Sequence, residues 1–550
     1  MATIKPRPKT YIISKPTTLP ADATDVDFDQ LSASIEQLGA QFDALDADGP
    51  DTGDRRSTHM VARTKTERAG LDALVVEMTS EVKEQLEQVH GAGIIVEEDE
   101  PIFPIDGMPN SYNTMENFAL NSDTESLTLR FRTTDAQGQP VASARVTASG
   151  MLWVDHGITD ANGDVTLTLM GESLDTVSLL EVKPSNSFWS VRVERPAVTA
   201  GINNIGLKRI GETANGEGRL DTTQSLGWGQ RVMGLTSPEP AQGDVRVAVI
   251  DSGLFAAHTD LAPTDGMDFG DPANATTSWA QDQSGHGTHV SGICAATNNT
   301  FGIVGFAPNA VLIGLRVFPN ASNAKLVAAL DWCIDNDIDV INMSLGGKNP
   351  SVAVQQRLQA CREHGILPIA AAGNSGKAVL FPAAFPETVA VAAIGKLGSF
   401  PGDSSHQKHL GETPMVSGDF FVPNFSCRGP EIDLCAPGVA IVSSVPKNGY
   451  AAWDGTSMAC PHVTGFAARL LQTNTALAQM NRTAERSSKL HEALLARCSK
   501  LPGLPAEVQG AGIPTLTAIP TPAVNIDDTL GRLRSLLMSA IELLEADAPV

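Results

Sequence analysis

The sequence predicts an α/β protein: a doubly wound, mostly parallel sheet as the main domain, preceded by a small α+β unit and an all-β sandwich. Three observations carry this. From residue 220 onward, near-continuous apolar runs such as "VRVAVID", "AVLIGLRVF", "DVINMSL", "GILPIAAAG" and "TVAVAAIG" alternate with segments of helical spacing. Strands buried on both faces of a parallel sheet read this way. Between residues 125 and 209, "SLTLRFRTT", "ARVTASGMLWV", "GDVTLTLM", "TVSLLEVKP" and "SFWSVRVERP" alternate or carry β-branched residues, with turn signals "DAQGQP" and "TDANGD" between them; short strands at this spacing suggest a sandwich. Residues 9–104 interleave strand and helix signals in the order βαββαβ, which gives a four-stranded sheet with two helices on one face.

In chain order, "KTYIIS" reads as a strand and "FDQLSASIEQLGAQFDAL" as a helix, followed by the polar loop "DADGPDTGDRRS". The strands "THMVARTKTE" and "LDALVVEM" come next, then the helix "TSEVKEQLEQV" and a closing strand "GIIVEEDEPI". The sandwich strands follow over 125–209. In the main domain, 220–518, "NAKLVAALDWCIDN" and "SVAVQQRLQACREH" have helical spacing between the apolar runs. A Pro/Thr linker, "TAIPTPAVNIDDT", opens the last segment, 519–550. That segment ends in an amphipathic helix with Leu530, Leu533, Leu537, Ile541 and Leu544 on one stripe. No internal repeat is visible.

Composition narrows the function. The 550 residues are 42% hydrophobic and 19% charged, the profile of a globular chain with material for a large core. A net charge of −24, from 63 acidic and 39 basic side chains, argues against nucleic acid as a partner. No apolar run is long enough for a membrane span. The first twenty residues are basic but broken by four prolines and have no apolar signal core, so a cytoplasmic location is expected. Seven cysteines lie between Cys294 and Cys498 without zinc-ligand spacing and read as buried free thiols.

Four segments carry chemistry. "VRVAVIDSG" ends a strand in Asp251, where ligands gather beyond the carboxyl ends of a parallel sheet. "SGHGTHVSG" sets His286 among glycines just before a small-residue helix, and "AAAGNSG" ends another strand in Asn374. "GTSMACPHVTG" puts Ser457 at a glycine-to-helix transition, where backbone N–H groups favour a developing anion. Singly, each is an ordinary cap or turn residue. Together they supply a nucleophile (Ser457), a base (His286), its orienter (Asp251) and an oxyanion donor (Asn374). Asp, His and Ser also follow one another in the subtilisin order.

With the motifs "VAVIDSG", "HGTHVSG", "INMSLGG", "AAAGNSG" and "GTSMACPHVTG", residues 220–518 resemble the subtilisin-like serine proteases, the subtilases. The resemblance implies a serine endopeptidase with Asp251, His286 and Ser457 as its triad and Asn374 as the oxyanion donor. His289 would then be a structural histidine and Cys460 a packing residue. "SLGG" implies that Ser344, Leu345 and Gly346 pair with an extended protein or peptide substrate, while Ser375 and Leu380 set the floor of the P1 pocket. Neither offers a carboxylate to a basic side chain, so apolar P1 residues (Leu, Met, Phe) are expected ahead of Lys and Arg, unless an acid from the insertion at 396–421 reaches the cleft. "TNNTFGIVG" resembles the family's calcium loop and implies Ca²⁺ held by Gln224, Asp260, Thr297, Asn299, Phe301 and Ile303. Residues 9–104 resemble the family's inhibitory propeptide, which implies a self-inhibited proenzyme whose own N-terminal domain is its inhibitor. The intervening sandwich departs from the family's arrangement and leaves the cut site open. Two other readings remain: a processing protease dedicated to one partner, and a binding scaffold without turnover.

Overall fold

The computed structural model describes residues 9–517 except 17, 19–24, 47–58, 67, 106–125, 212–219, 221, 237–243 and 412. The linker and amphipathic helix expected over 519–550 lie outside the described residues.

The first unit is a four-stranded antiparallel sheet in the spatial order His59–Lys65, Asp72–Met78, Lys9–Ser14, Ile95–Glu98. Strand alternation divides its apolar residues between two faces. Tyr11, Ile13, Leu74 and Val76 pack against Phe28, Leu31 and Ile35 of the helix Phe28–Asp46 and against Val82 and Leu86 of the helix Ser80–His90. Ile12, Ala73 and Val75 point the other way and join the core of the main domain. The strand expected over "GIIVEEDEPI" stops at Glu98. Beyond it the backbone groups find partners on the main domain instead: Ile102 N–H donates to Ala321 O at 2.9 Å and Ile105 N–H to Ser344 O at 3.2 Å.

The second unit has two sheets around a shared core that includes Leu129, Phe131, Val146, Leu167, Leu169 and Val182. One sheet runs Val191–Glu194, Leu179–Pro184, Ala144–Ser149, Val154–Ile158; the other runs Ile202–Gly206, Ser126–Thr134, Asp164–Met170.

The main domain is built on a nine-stranded sheet. Its parallel strands lie in the order Pro263–Asp268, Val311–Arg316, Arg246–Asp251, Val340–Met343, Leu367–Ala371, Val389–Lys396, Leu434–Pro437. The helices pack in two pairs, His286–Ala295 with Thr456–Thr473 and Asn323–Asp335 with Val352–Glu363. The central strands are buried along their whole length, which is why they read as unbroken apolar runs. Arg246–Asp251, first of these strands in the chain, has later strands added on both sides, so the order reverses beside it. A crevice at such a point is where open α/β sheets bind ligands.

Candidate active site

Asp251 ends the central strand, and its Oδ1 pairs with His286 Nδ1 at 2.7 Å while accepting Ser252 N–H at 2.7 Å. His286 opens its helix where that helix meets the strand end. A Cβ on Gly287 would lie 2.1 Å from the Gly253 carbonyl, so only glycine lets the two approach. The turn before the helix is held by Asp282, which accepts from Gly285 N–H, Thr288 N–H and the Thr288 hydroxyl at 2.6–2.9 Å. Burial nevertheless raises the Asp282 carboxyl above its ordinary range. Trp453 lies near-parallel to the His286 ring, with centroids 6.4 Å apart, and stacks on His289 at 4.5 Å.

Ser457 sits in the first turn of the helix Thr456–Thr473. Gly455 precedes it with φ 153° and ψ 159°, backbone that favours glycine. Pro461 lacks the N–H that would bond the Ser457 carbonyl four residues back. The Ser344 hydroxyl takes that place, donating to Ser457 O at 3.0 Å. Thr456 orients Asn374, whose Oδ1 accepts both the Thr456 N–H and its hydroxyl at 2.9 Å.

The cleft holds a segment of this same chain. Phe103–Pro104 pairs antiparallel with Leu345–Gly346, putting Pro104 opposite Leu345 and Phe103 opposite Gly346. The Ile105 carbonyl then accepts Asn374 Nδ2 at 2.9 Å and the Ser457 hydroxyl. Ser457 Oγ is also 3.2 Å from Ser344 O. A Cβ built on Gly346 would lie 3.1 Å from Ile105 Cδ1 and 3.3 Å from Leu380 Cβ, so both side chains border Gly346. Ser375 Oγ is 3.1 Å from the buried Cys427 Sγ, behind the same pocket. The described carboxylates of the insertion point elsewhere: Asp403 pairs with Lys208 at 3.0 Å and Asp419 with Lys396 at 3.4 Å.

Acids of the N-terminal unit anchor this segment. Glu97 accepts from Ser351 Oγ, Val352 N–H and Ala353 N–H at 2.7–3.0 Å, at the start of the helix Val352–Glu363. Asp99 accepts Ala324 N–H at 2.9 Å at the start of Asn323–Asp335. Two positive helix ends thus meet two carboxylates.

Away from the cleft, His289 is buried with Nε2 3.1 Å from Ile441 O and 3.0 Å from Ala451 O, and burial pulls it down to about 3. Burial pushes the Cys460 thiol up to about 12, which keeps it protonated and unreactive. Around the loop at 297–303, five of the six expected metal ligands come together. Gln224 Nε2 lies 3.0 Å from Thr297 O, 3.3 Å from Asn299 Oδ1 and 3.4 Å from Phe301 O. Asp260 joins them by accepting Asn299 Nδ2 at 2.9 Å and Ile303 N–H at 2.8 Å, and burial raises its carboxyl. The Ile303 carbonyl is not among these contacts.

Sequence reasoning missed Ile105, Asp282, Thr456 and Cys427. Ile105 carries no motif and meets Ser457 across 352 residues. Asp282, three residues before Gly285, could have been read as a cap.

The sequence pattern of the Subtilase family matches residues 242–512. The chain is 39% identical over 236 residues to subtilisin E of Bacillus subtilis (strain 168), covering 42% of this chain and 55% of that protein. It is 39% identical over 236 residues to subtilisin of Bacillus pumilus, covering 77% of that protein. M-protease of Shouchella clausii (strain KSM-K16) is 35% identical over 329 residues, with 77% of it covered. With its motifs joined in one crevice and this coverage, the chain belongs to the subtilase family.

Proposed function

We propose that the protein is a serine endopeptidase made as a self-inhibited proenzyme, and that it cuts itself between Ile105 and Asp106. The observation that carries this is the Ile105 carbonyl, held between Asn374 Nδ2 and the Ser457 hydroxyl by a strand-paired segment of the same chain. Backbone pairing of this kind reads a substrate by its main chain and leaves specificity to the pockets.

Ser457 Oγ attacks the carbonyl carbon as its proton passes to His286 Nε2, and Asp251 holds the imidazole by Nδ1 and stabilises its charged form. The new oxyanion stays on Asn374 Nδ2. Losing such a donor costs about 3–4 kcal/mol of transition-state stabilisation. The imidazolium then gives its proton to the leaving amine of Asp106; in the second half, His286 takes a proton from the water that attacks the acyl carbon and returns it to Ser457 Oγ as the ester bond breaks. The chain up to Ile105 leaves as one piece; the two-sheet unit stays on the protease. Ile105, the apolar residue whose carbonyl meets Ser457 and whose side chain lies beside Gly346, supports an apolar P1, since each buried methylene gains about 0.8 kcal/mol.

Calcium belongs to the same reading. Three oxygens converge on the Gln224 side-chain amide beside the buried Asp260 carboxylate, and with that amide turned to present Oε1 in place of Nε2 they would form an all-oxygen donor set that suits Ca²⁺. Gln224, Asp260, Thr297, Asn299 and Phe301 would hold it, and Ile303 is the sixth candidate. Bound there, the ion supplies stability to the loop and takes no part in the chemistry.

Intact-mass and N-terminal analysis tests the reading. Wild-type protein should yield a fragment beginning at Asp106, and Ser457→Ala should remain full length without peptidase activity. Cleavage of purified Ser457→Ala at the same bond, or a wild-type cut elsewhere, refutes the self-processing claim. A peptide library led by Lys or Arg at P1 refutes the pocket assignment.

A further inference from the structure

We infer that the two-sheet unit positions the nucleophile turn of the mature protease, acting through a buried cluster of Trp189, His406, Asp454 and His409. The inference rests on the endopeptidase reading, under which this unit stays attached to the protease when the chain up to Ile105 leaves.

The unit is docked on the insertion by several independent contacts. Arg192 N–H donates to Asp403 O at 2.8 Å, Lys208 Nζ pairs with Asp403 at 3.0 Å, and Ser190 Oγ meets Ser405 Oγ at 2.6 Å. Trp189 then sets its ring edge-to-face with His406, centroids 5.8 Å apart. His406 and His409 are nearly buried, with side chains 2% and 6% exposed, and both turn to one carboxylate. Asp454 accepts His406 Nδ1 at 2.7 Å, His409 Nε2 at 3.0 Å and the Ala440 N–H at 2.7 Å. Burial by itself would raise this carboxyl, yet the two imidazoles hold it well below its ordinary value.

Asp454 lies three residues before Ser457, and the chain between them is tied at each step. Gly455 N–H donates to Gly438 O at 2.8 Å. Thr456 fixes Asn374 through two hydrogen bonds at 2.9 Å. Trp453, on the other side of Asp454, carries its ring against His286. One carboxylate therefore sets the position of the turn from which the nucleophile, the oxyanion amide and the face of the base are all placed. Catalysis is steep in this coordinate: a misplacement of about 1 Å can cost roughly a hundredfold in rate. Docking of the two-sheet unit over His406 fixes the donors of that carboxylate, so the unit acts on turnover and touches no substrate.

The test uses the processed protein, beginning at Asp106, and three variants of it. His406→Leu removes the Nδ1 donor, His406→Asn keeps an N–H at that place, and Trp189→Ala removes the packing edge. For each, kcat and KM on an apolar-P1 peptide, the rate of labelling of Ser457 by a fluorophosphonate, and Tm are measured. His406→Leu should lower kcat and the labelling rate ten- to a hundredfold with KM within threefold. His406→Asn should recover most of that loss, and Trp189→Ala should lose three- to tenfold. A folded His406→Leu with kcat within twofold of wild type overturns the inference. So does His406→Asn losing as much as His406→Leu, or a change confined to KM. If His406→Leu does not fold, Trp189→Ala decides alone, and kcat within twofold overturns the inference. Wild-type protein that takes no label fails the endopeptidase reading itself, a result distinct from any of these.

Discussion

Ser457 owes its surroundings to a proline. Pro461 frees the Ser457 carbonyl, and Ser344, whose own carbonyl faces the Ser457 hydroxyl, satisfies it with its side chain. A motif therefore records local chemistry that a reader of the sequence can recover: proline inside a helix orphans the carbonyl four residues back, which then needs an outside donor. Buried histidines are a second residue-scale consequence. Burial pulls His289 down to about 3 and His462 to about 4, against about 6.5 for an unfolded chain. Each is depressed, so the unfolded state takes up protons first as pH falls. The stability they share is full above about pH 6.5 and is lost on acidification, at up to about 1.4 kcal/mol per pH unit for each histidine. Chemical denaturation at pH 7.5 and 5 should show this slope. His462→Asn, which can still donate to Met458 O where Nδ1 lies at 2.7 Å, should flatten it. An unchanged slope would mean that His462 does not carry it.

At the scale of elements, apolar runs made the buried strands legible, because a strand with no solvent face has no polar positions to interrupt it. The helices Asn323–Asp335 and Val352–Glu363 were legible as helices, but not the partners at their starts. Asp99 and Glu97 come from another unit, and no local pattern announces a cap supplied from over 200 residues away. The loop 297–303 was legible as a ligand set only through resemblance. Its prediction is thermal: excess Ca²⁺ should raise Tm, and a chelator should lower it. A ligand held only by the native state adds about 2.7 kcal/mol at a hundredfold excess over Kd. Asp260→Ala should abolish most of the calcium-dependent part. Equal Tm values with calcium and with chelator would remove the ion from the account.

For the whole molecule, the motifs of the main domain stood out because each must solve a local backbone problem as well as a chemical one. Ile105 and the His406–Asp454–His409 cluster could not be read in advance, since each exists only where three separate segments meet. Their residue types, an isoleucine and a pair of histidines in a polar insertion, are unremarkable on their own. Under the proposed self-processing, the tether between the first unit and the cleft has a kinetic side. Because Ile105 reaches Ser457 within one chain, each molecule carries its own first target at an effective concentration that dilution cannot alter. The proposed initial cut would thus be a first-order event, with a half-life set by the fold and independent of how much protein is present. Once that bond is broken the tether would be gone, and the piece ending at Ile105 would occupy the cleft only as far as mass action holds it there. The molecule would then pass from a clock to a concentration-dependent equilibrium at a single covalent step.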